Sequence, residues 1–344
     1  MKLAALTVLA CTGRSVPAQE SPDYAPLDRA IAAGEAPKTT SVLVMRGGTI
    51  QHEWYGDGVT ADTLHDTRSV GKSITALAVG IAIEKGLLRT DTRVFEGLAD
   101  LAPFANASPL KDAITVEDLL TMSSALDCND DDPSSPGNEE NMYPLEHWAR
   151  WAVDIPVAPN YARDATGRGP WHYCTAGTVL LGQLVQRVAK QPMDTFIAEN
   201  ILAPLGITRW EFAKSPTGEV MTGGGLRLRT RDLATIVWML HSDGKHGDRQ
   251  IVPVAFIDAA FTRHRVAFPE RATYYGYLFW NSTHRTPCGD VDAWYMSGNG
   301  GNLVGVFREL DAVVVITRTN YGQAGMHEQT RQLLDKYILP ELCR

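Results

Sequence analysis

Ser69-Val70-Gly71-Lys72 opens the run Ser73-Ile74-Thr75-Ala76-Leu77-Ala78-Val79-Gly80-Ile81-Ala82-Ile83, and this stretch decides how the chain is read. Serine and lysine three residues apart share one face of a helix, so hydroxyl and amine can touch. The run that follows is apolar on nearly every face, which predicts a buried helix rather than an amphipathic one. Gly86 stands where such a helix would close. Burial disfavours the charged form of a lysine, so Lys72 is expected to resist protonation. A neutral lysine beside a serine can take the hydroxyl proton and make a nucleophile. The competing reading is an N-cap serine followed by a surface lysine. The four-residue pattern alone does not decide, since roughly one or two chance matches are expected at ordinary composition. Ser108-Pro109-Leu110-Lys111 is a second match. No apolar helix follows it immediately, and it reads as a turn.

Outward from this helix, the flanks read as sheet. Thr40 to Val44, Gly47-Gly48, and Thr49 to Trp54 predict a β-hairpin. Near the other end, Leu303 to Phe307 and Ala312 to Ile316 predict two apolar strands, and Met326 to Ile338 a closing helix. Between them, Thr115-Val116-Glu117-Asp118 has a capping-box pattern. Val179 to Val188 and Arg231 to His241 read as helices. Strands at both ends with helices between predict an antiparallel sheet, built from both termini, with an inserted helical lobe.

Two further segments carry chemistry. Trp171-His172-Tyr173-Cys174-Thr175 precedes the helix that starts near Ala176. A tyrosine at a helix entrance can point its hydroxyl into a cleft, and the positive charge of Lys72 would lower its pKa. Tyr173 and Lys72 could then share general-base and general-acid work. Ser297-Gly298-Asn299-Gly300-Gly301-Asn302 lies just before a strand, where glycine lets backbone approach a ligand closely. A backbone N–H from this loop, with that of Ser69, would make an oxyanion hole. A plain β-turn competes. A dinucleotide loop is disfavoured, because Leu303 replaces the last glycine and a strand follows where a helix should.

The chain has 344 residues and a formal net charge of −8. That length suits one large domain or two lobes, and the acidic balance argues against nucleic-acid binding. No segment approaches the ~18–20 apolar residues of a membrane span. Lys2, the apolar stretch Leu3 to Ala10 and Val16-Pro17-Ala18 read as an export signal over residues 1–18. Cys11 after Val8-Leu9-Ala10 also admits a lipoprotein reading. Residues 19–38 read as a polar leader. Export would leave Cys128, Cys174, Cys288 and Cys343, an even number suited to an oxidising compartment. Three pairings are open, and Cys128–Cys174 is expected because Cys174 adjoins Tyr173. Asp127, Asn129 and Asp131 mimic a calcium loop, but Asp132 stands where glycine belongs and Asn138 where glutamate belongs. Asn129 to Tyr143 is therefore read as an acidic, solvated loop that could rim a cleft. His65 and His172 form no metal-ligand spacing, no zinc CxxC pair exists, and no GxSxG elbow is present. Trp171, Tyr143, Tyr277 and Trp280 are pocket or core aromatics.

With these motifs in this order, the chain resembles the serine β-lactamase and penicillin-recognising hydrolase superfamily, in particular its class C-like branch. That branch includes class C β-lactamases, D-alanyl carboxypeptidases, family VIII esterases and 6-aminohexanoate-dimer hydrolases. Ser69 and Lys72 match the SxxK motif. Tyr173-Cys174-Thr175 falls at the Tyr-x-Asn position, with Thr175 replacing asparagine. Met296-Ser297-Gly298 falls at the Lys-Thr-Gly position. The resemblance implies a β-lactamase/transpeptidase-like fold over residues 39–344. The sheet lobe would span about 39–89 and 221–344, the helical lobe about 90–220. It implies Ser69 as nucleophile, Lys72 and Tyr173 as base and acid, Asn299 as second oxyanion donor, and Gly298, Ser297 and Thr175 at the substrate. Neither metal nor organic cofactor is required, and the partner is a small-molecule ester or amide. In relatives active on penicillins, the lysine of the third motif helps hold the substrate carboxylate. Met296 in its place turns the expectation toward esters or simple amides. A β-lactamase or carboxypeptidase, and a non-catalytic sensor of the same fold, remain the rival readings.

Overall fold

The computed structural model describes residues 21–344; the expected export signal, its cleavage site and Cys11 lie outside the described residues. The expected hairpin is present as β1 (Thr39–Arg46) and β2 (Thr49–Tyr55). Gly47 and Gly48 both have positive φ, 56° and 73°, as a two-residue turn between twisted strands requires. The sheet continues with β3 (Arg265–Phe268), β4 (Thr273–Tyr275), β5 (Trp280–Thr286), β6 (Gly289–Gly298), β7 (Asn302–Phe307) and β8 (Ala312–Arg318). The eight strands are ordered β2-β1-β8-β7-β6-β5-β4-β3 and pair antiparallel throughout. The N-terminal hairpin thus docks on β8, which joins the two ends of the chain in one sheet.

Helices cover both faces of this sheet. On one face lie α1 (Ala25–Ala32) and the C-terminal α7 (Met326–Leu333) with the turns after it. On the other lie α2 (Val70–Glu84) and α6 (Thr230–His241). Of the stretch 19–38 expected as a leader, residues 19 and 20 lie outside the described residues, and the rest is corrected by α1. Leu27, Ala30 and Ile31 recur at helical spacing and are buried against the sheet. Between α2 and α6 the chain adds α3 (Val116–Leu120), α4 (Trp148–Asp154) and α5 (Thr175–Ala189). The expected capping box is formed: the Thr115 hydroxyl accepts from Asp118 N–H while Asp118 accepts from Thr115 N–H.

The apolar run of α2 behaves as its composition demands. Every residue from Val70 to Ala82 is buried, between the sheet and α5. One continuous core runs from Leu43 of β1 through Leu77 to Leu180 and Leu184 of α5. Burying each such large side chain contributes ~1.5–3 kcal/mol. Sheet and helices therefore share their stabilisation, and α2 is held rigidly from both sides. Leu77→Ala is expected to cost about 3 kcal/mol in urea unfolding, with one transition retained. A loss below about 1 kcal/mol would contradict this view of the core.

Candidate active site

The start of α2 meets the other two sequence motifs at a cavity of about 430 Å³. Ser69, Tyr173, Ser297, Gly298 and Asn299 all line it. Ser69 precedes α2 and makes no side-chain capping bond, so its hydroxyl is free for other work. The preceding Arg68 has a left-handed φ of 53°, a strained conformation for a non-glycine residue. The Asp66 carboxylate holds it by accepting its backbone N–H, and the guanidinium stacks 4.4 Å over the Tyr321 ring. That turn aims Ser69 at the cavity.

Lys72 is 1 % exposed. Its Nζ donates to Ser69 Oγ at 2.9 Å and to the Gly223 carbonyl at 2.7 Å, and lies 4.9 Å from the centre of the Tyr173 ring. Ser69 accepts from Lys72, Tyr173 stands beside the same ammonium, and both line the cavity. The Gly223–Gly225 run lies against this site because nothing larger fits: a Cβ on Gly71 would stand 2.9 Å from the Gly224 carbonyl oxygen. On the far side, a Cβ on Gly298 would stand 1.9 Å from the Thr67 carbonyl oxygen and 3.2 Å from Ser69 N. The end of β6 is therefore pressed directly on the Ser69 turn. Among the described residues, neither the Ser69 N–H nor the Asn299 N–H has a hydrogen-bond partner. β5 stops pairing with β6 at Trp280–Tyr295, which leaves residues 296–298 without a strand on that side.

The protonation states differ from expectation. Burial alone pushes Lys72 down, but the charges of Tyr173, Glu139 and Asp130 push it up and prevail. Burial pushes Tyr173 up more than the Lys72 charge pulls it down. The resting pair is thus an ammonium and a neutral phenol, not a neutral amine and a phenolate. With Tyr173 keeping its proton, the charges left to hold the Lys72 proton include two carboxylates that sequence reading placed in solvent. The segment 129–143 rims the cavity as expected and residues 131–134 are exposed, but its inner side is packed and hydrogen-bonded. Asn138 is 4 % exposed and its amide donates to the carbonyls of Asn129, Asp130 and Asp132. The Cys128–Cys174 disulfide, the pairing expected, ties this segment to the entrance of α5. Cys288 pairs with Cys343. Asp130 and Glu139 consequently line the cavity. Burial pushes Asp130 up to about 6.

Thr175 is corrected as a substrate contact. It is fully buried, its N–H donates to Asp130 at 2.7 Å and its hydroxyl to Glu139 at 2.9 Å. It positions the carboxylates rather than facing the cavity. Met296 is likewise buried in the core beneath α2, while its neighbours Tyr295 and Ser297 line the cavity, as strand alternation requires. Of the four aromatics singled out, Trp280 lines the cavity, stacked on Tyr173 at 5.6 Å and on Phe268 at 5.9 Å. Trp171 packs edge-on behind it at 5.8 Å, and Tyr277 is bonded to Glu117 in the core. The second serine–lysine match is structural. Ser108 caps the short helix Pro109–Asp112, and Lys111 Nζ donates to the carbonyls of Ala105 and Val153. In an NMR titration of labelled lysine side chains, Lys72 is expected to stay charged through neutral pH. Glu139→Gln should lower its pKa; an unchanged value would mean the carboxylate does not act on it.

The sequence matches the β-lactamase family over residues 27–337. A 6-aminohexanoate-dimer hydrolase of Paenarthrobacter ureafaciens is 26 % identical over 230 residues, covering 64 % of this chain and 56 % of that one. The chain spans about half the length of the curated relatives it matches. Among solved structures, a D-stereospecific amidohydrolase of a Streptomyces species superposes with a TM-score of 0.69 at 18 % identity, covering 92 % and 99 % of the two chains. An octameric penicillin-binding protein homologue of Pyrococcus abyssi gives 0.68 at 20 %, covering 91 % and 76 %. The antiparallel sheet with helices on both faces is the fold of these structures, and the match covers the motifs around Ser69, Tyr173 and Gly298. The chain belongs to the β-lactamase family.

Proposed function

We propose that the protein is a serine hydrolase that cleaves an ester or amide through an acyl-enzyme on Ser69. The observation that carries this reading is the Lys72–Ser69 hydrogen bond, with Tyr173 beside the ammonium and two backbone N–H groups without partners among the described residues. A carbonyl carbon placed at Ser69 Oγ would have its oxygen near the N–H groups of Ser69 and Asn299. Such donors are worth about 10²–10³ in rate. The substrate chain would lie along the open edge at 296–298, where backbone groups await a partner.

Because the resting pair carries Lys72 as ammonium and Tyr173 as phenol, one proton must leave the pair before it can accept that of Ser69. Attack then sends the Ser69 proton to the pair, which returns a proton to the leaving alcohol or amine. Water repeats the sequence in reverse and frees Ser69. Ester or simple amide acyl donors are favoured over penicillins because Met296 is sealed in the core and offers no cation. The relative named for the 6-aminohexanoate dimer, an amide, supports the same choice. A second reading has one observation in its favour: Arg271 and Arg331 line the cavity and could receive a carboxylate such as that of a β-lactam. Export to an oxidising compartment is part of the proposal, and the two disulfides support it.

Turnover of short-chain p-nitrophenyl esters against nitrocefin separates the readings. Fast nitrocefin hydrolysis without esterase activity would favour the second. Intact mass after exposure to a fluorophosphonate should show an adduct that Ser69→Ala loses at that serine. No adduct on the unaltered chain would point to a non-catalytic sensor. Lys72→Met should lower kcat/KM by about 10²–10⁴. The kcat/KM profile should rise toward alkaline pH, since the base forms only as the pair loses a proton. Glu139→Gln removes a negative charge that holds that proton, so the rising limb should move to lower pH. A limb that stays or moves upward would refute the assigned roles of the carboxylates.

A further inference from the structure

The same cavity has a second reactive constellation, on the opposite side of β6 from the Ser69 turn. Ser282 and His284 lie two apart on β5, so both side chains leave the same face of the sheet, toward α7 and the turn after it. The Ser282 Oγ is 3.0 Å from His284 Nε2, and His284 Nδ1 is 2.5 Å from Asp335 Oδ1. Ser282 is 7 % exposed and His284 3 %, yet both line the cavity. Arg331 Nε donates to the other Asp335 oxygen at 3.2 Å. Tyr295 lines the same cavity.

In the neutral tautomer whose Nδ1–H donates to Asp335, Nε2 is the acceptor for the Ser282 hydroxyl. Nucleophile, base and orienting carboxylate are recognised by such roles and geometry, not by their order along the chain. Buried hydrogen bonds that only support a sheet have no need to face a cavity. Here the serine and the imidazole do.

We propose that Ser282, with His284 as base and Asp335 orienting it, is a second nucleophilic site, independent of Ser69. It takes acyl or phosphonyl groups from small donors with good leaving groups. Ser282 Oγ bonds to the acyl carbon as its proton passes to His284 Nε2. The bond to the leaving oxygen then breaks, and that oxygen takes the proton from the imidazolium. The Tyr295 hydroxyl and the Arg331 guanidinium, both on the cavity wall, are the donors available to the oxyanion. Water releases the acyl group by the same path. With side-chain donors in place of the backbone pair at Ser69, the site is suited to activated esters rather than amides.

The test uses an alkyl fluorophosphonate on the full chain, in which serine Oγ displaces fluoride, with each adduct mapped by peptide mass. Ser69→Ala should still gain one adduct, at Ser282. Its rate should fall at least tenfold in Ser69→Ala/His284→Gln and in Ser69→Ala/Asp335→Asn, and the adduct should vanish in Ser69→Ala/Ser282→Ala. The asparagine variant serves should the glutamine variant fail to fold. Because the two peptides are counted separately, absence of label at Ser69 in the unaltered chain would bear on the proposed hydrolase, not on Ser282. No label at Ser282 in Ser69→Ala after prolonged exposure to excess probe would overturn the proposal. So would a label there that forms equally fast in both the His284 and Asp335 variants.

Discussion

A lysine ammonium kept out of water is the constraint on which the site depends. Lys72 can stay charged at 1 % exposure only because Ser69 and the Gly223 carbonyl accept from it and two carboxylates stand nearby. An isolated buried cation would lose its proton rather than bear the cost of desolvation. Supplying those partners requires α2, the 223–225 glycines, the entrance of α5 and the segment 129–143 to converge on one point. Burial of α2 from both sides makes that convergence rigid.

The cost of the arrangement is visible in Asp130. A carboxyl held near 6 is one that folding has pushed toward its neutral form. Its oxygens accept the N–H groups of Thr175 and Glu139, and those bonds keep the 129–143 segment folded over the site. Structure and electrostatics are therefore coupled: the contacts that fold the segment also set the charge of Lys72. The Cys128–Cys174 bridge stands at the base of that coupling.

Much of the frame was legible because it is local. The turn glycines at 47 and 48, the capping box at Thr115 and the all-apolar α2 each act through neighbours in sequence. Ser69, Lys72, Tyr173 and the Gly298 loop were found because their spacing and context are themselves local. β3 to β6 escaped the sequence reading. β5 reads Trp280-Asn281-Ser282-Thr283-His284-Arg285-Thr286, a polar string whose buried members are satisfied only by distant residues such as Ala293 and Asp335. The leader misread α1 for a related reason, since Leu27 and Ile31 have nothing to bury against until the sheet exists.

The sequence by itself determined that Ser69 and Lys72 meet, because a helix places residues i and i+3 together whatever surrounds it. It also determined which helix would be buried, because apolar surface on every face has no other stable place. Only the tertiary structure decided the charge on that lysine. Sequence reading took burial alone and made it neutral. Folding added Asp130 and Glu139, from a stretch whose acidity looked like solubility. Charge depends on distance in space, and the distance from residue 72 to residues 130 and 139 is set by the fold alone.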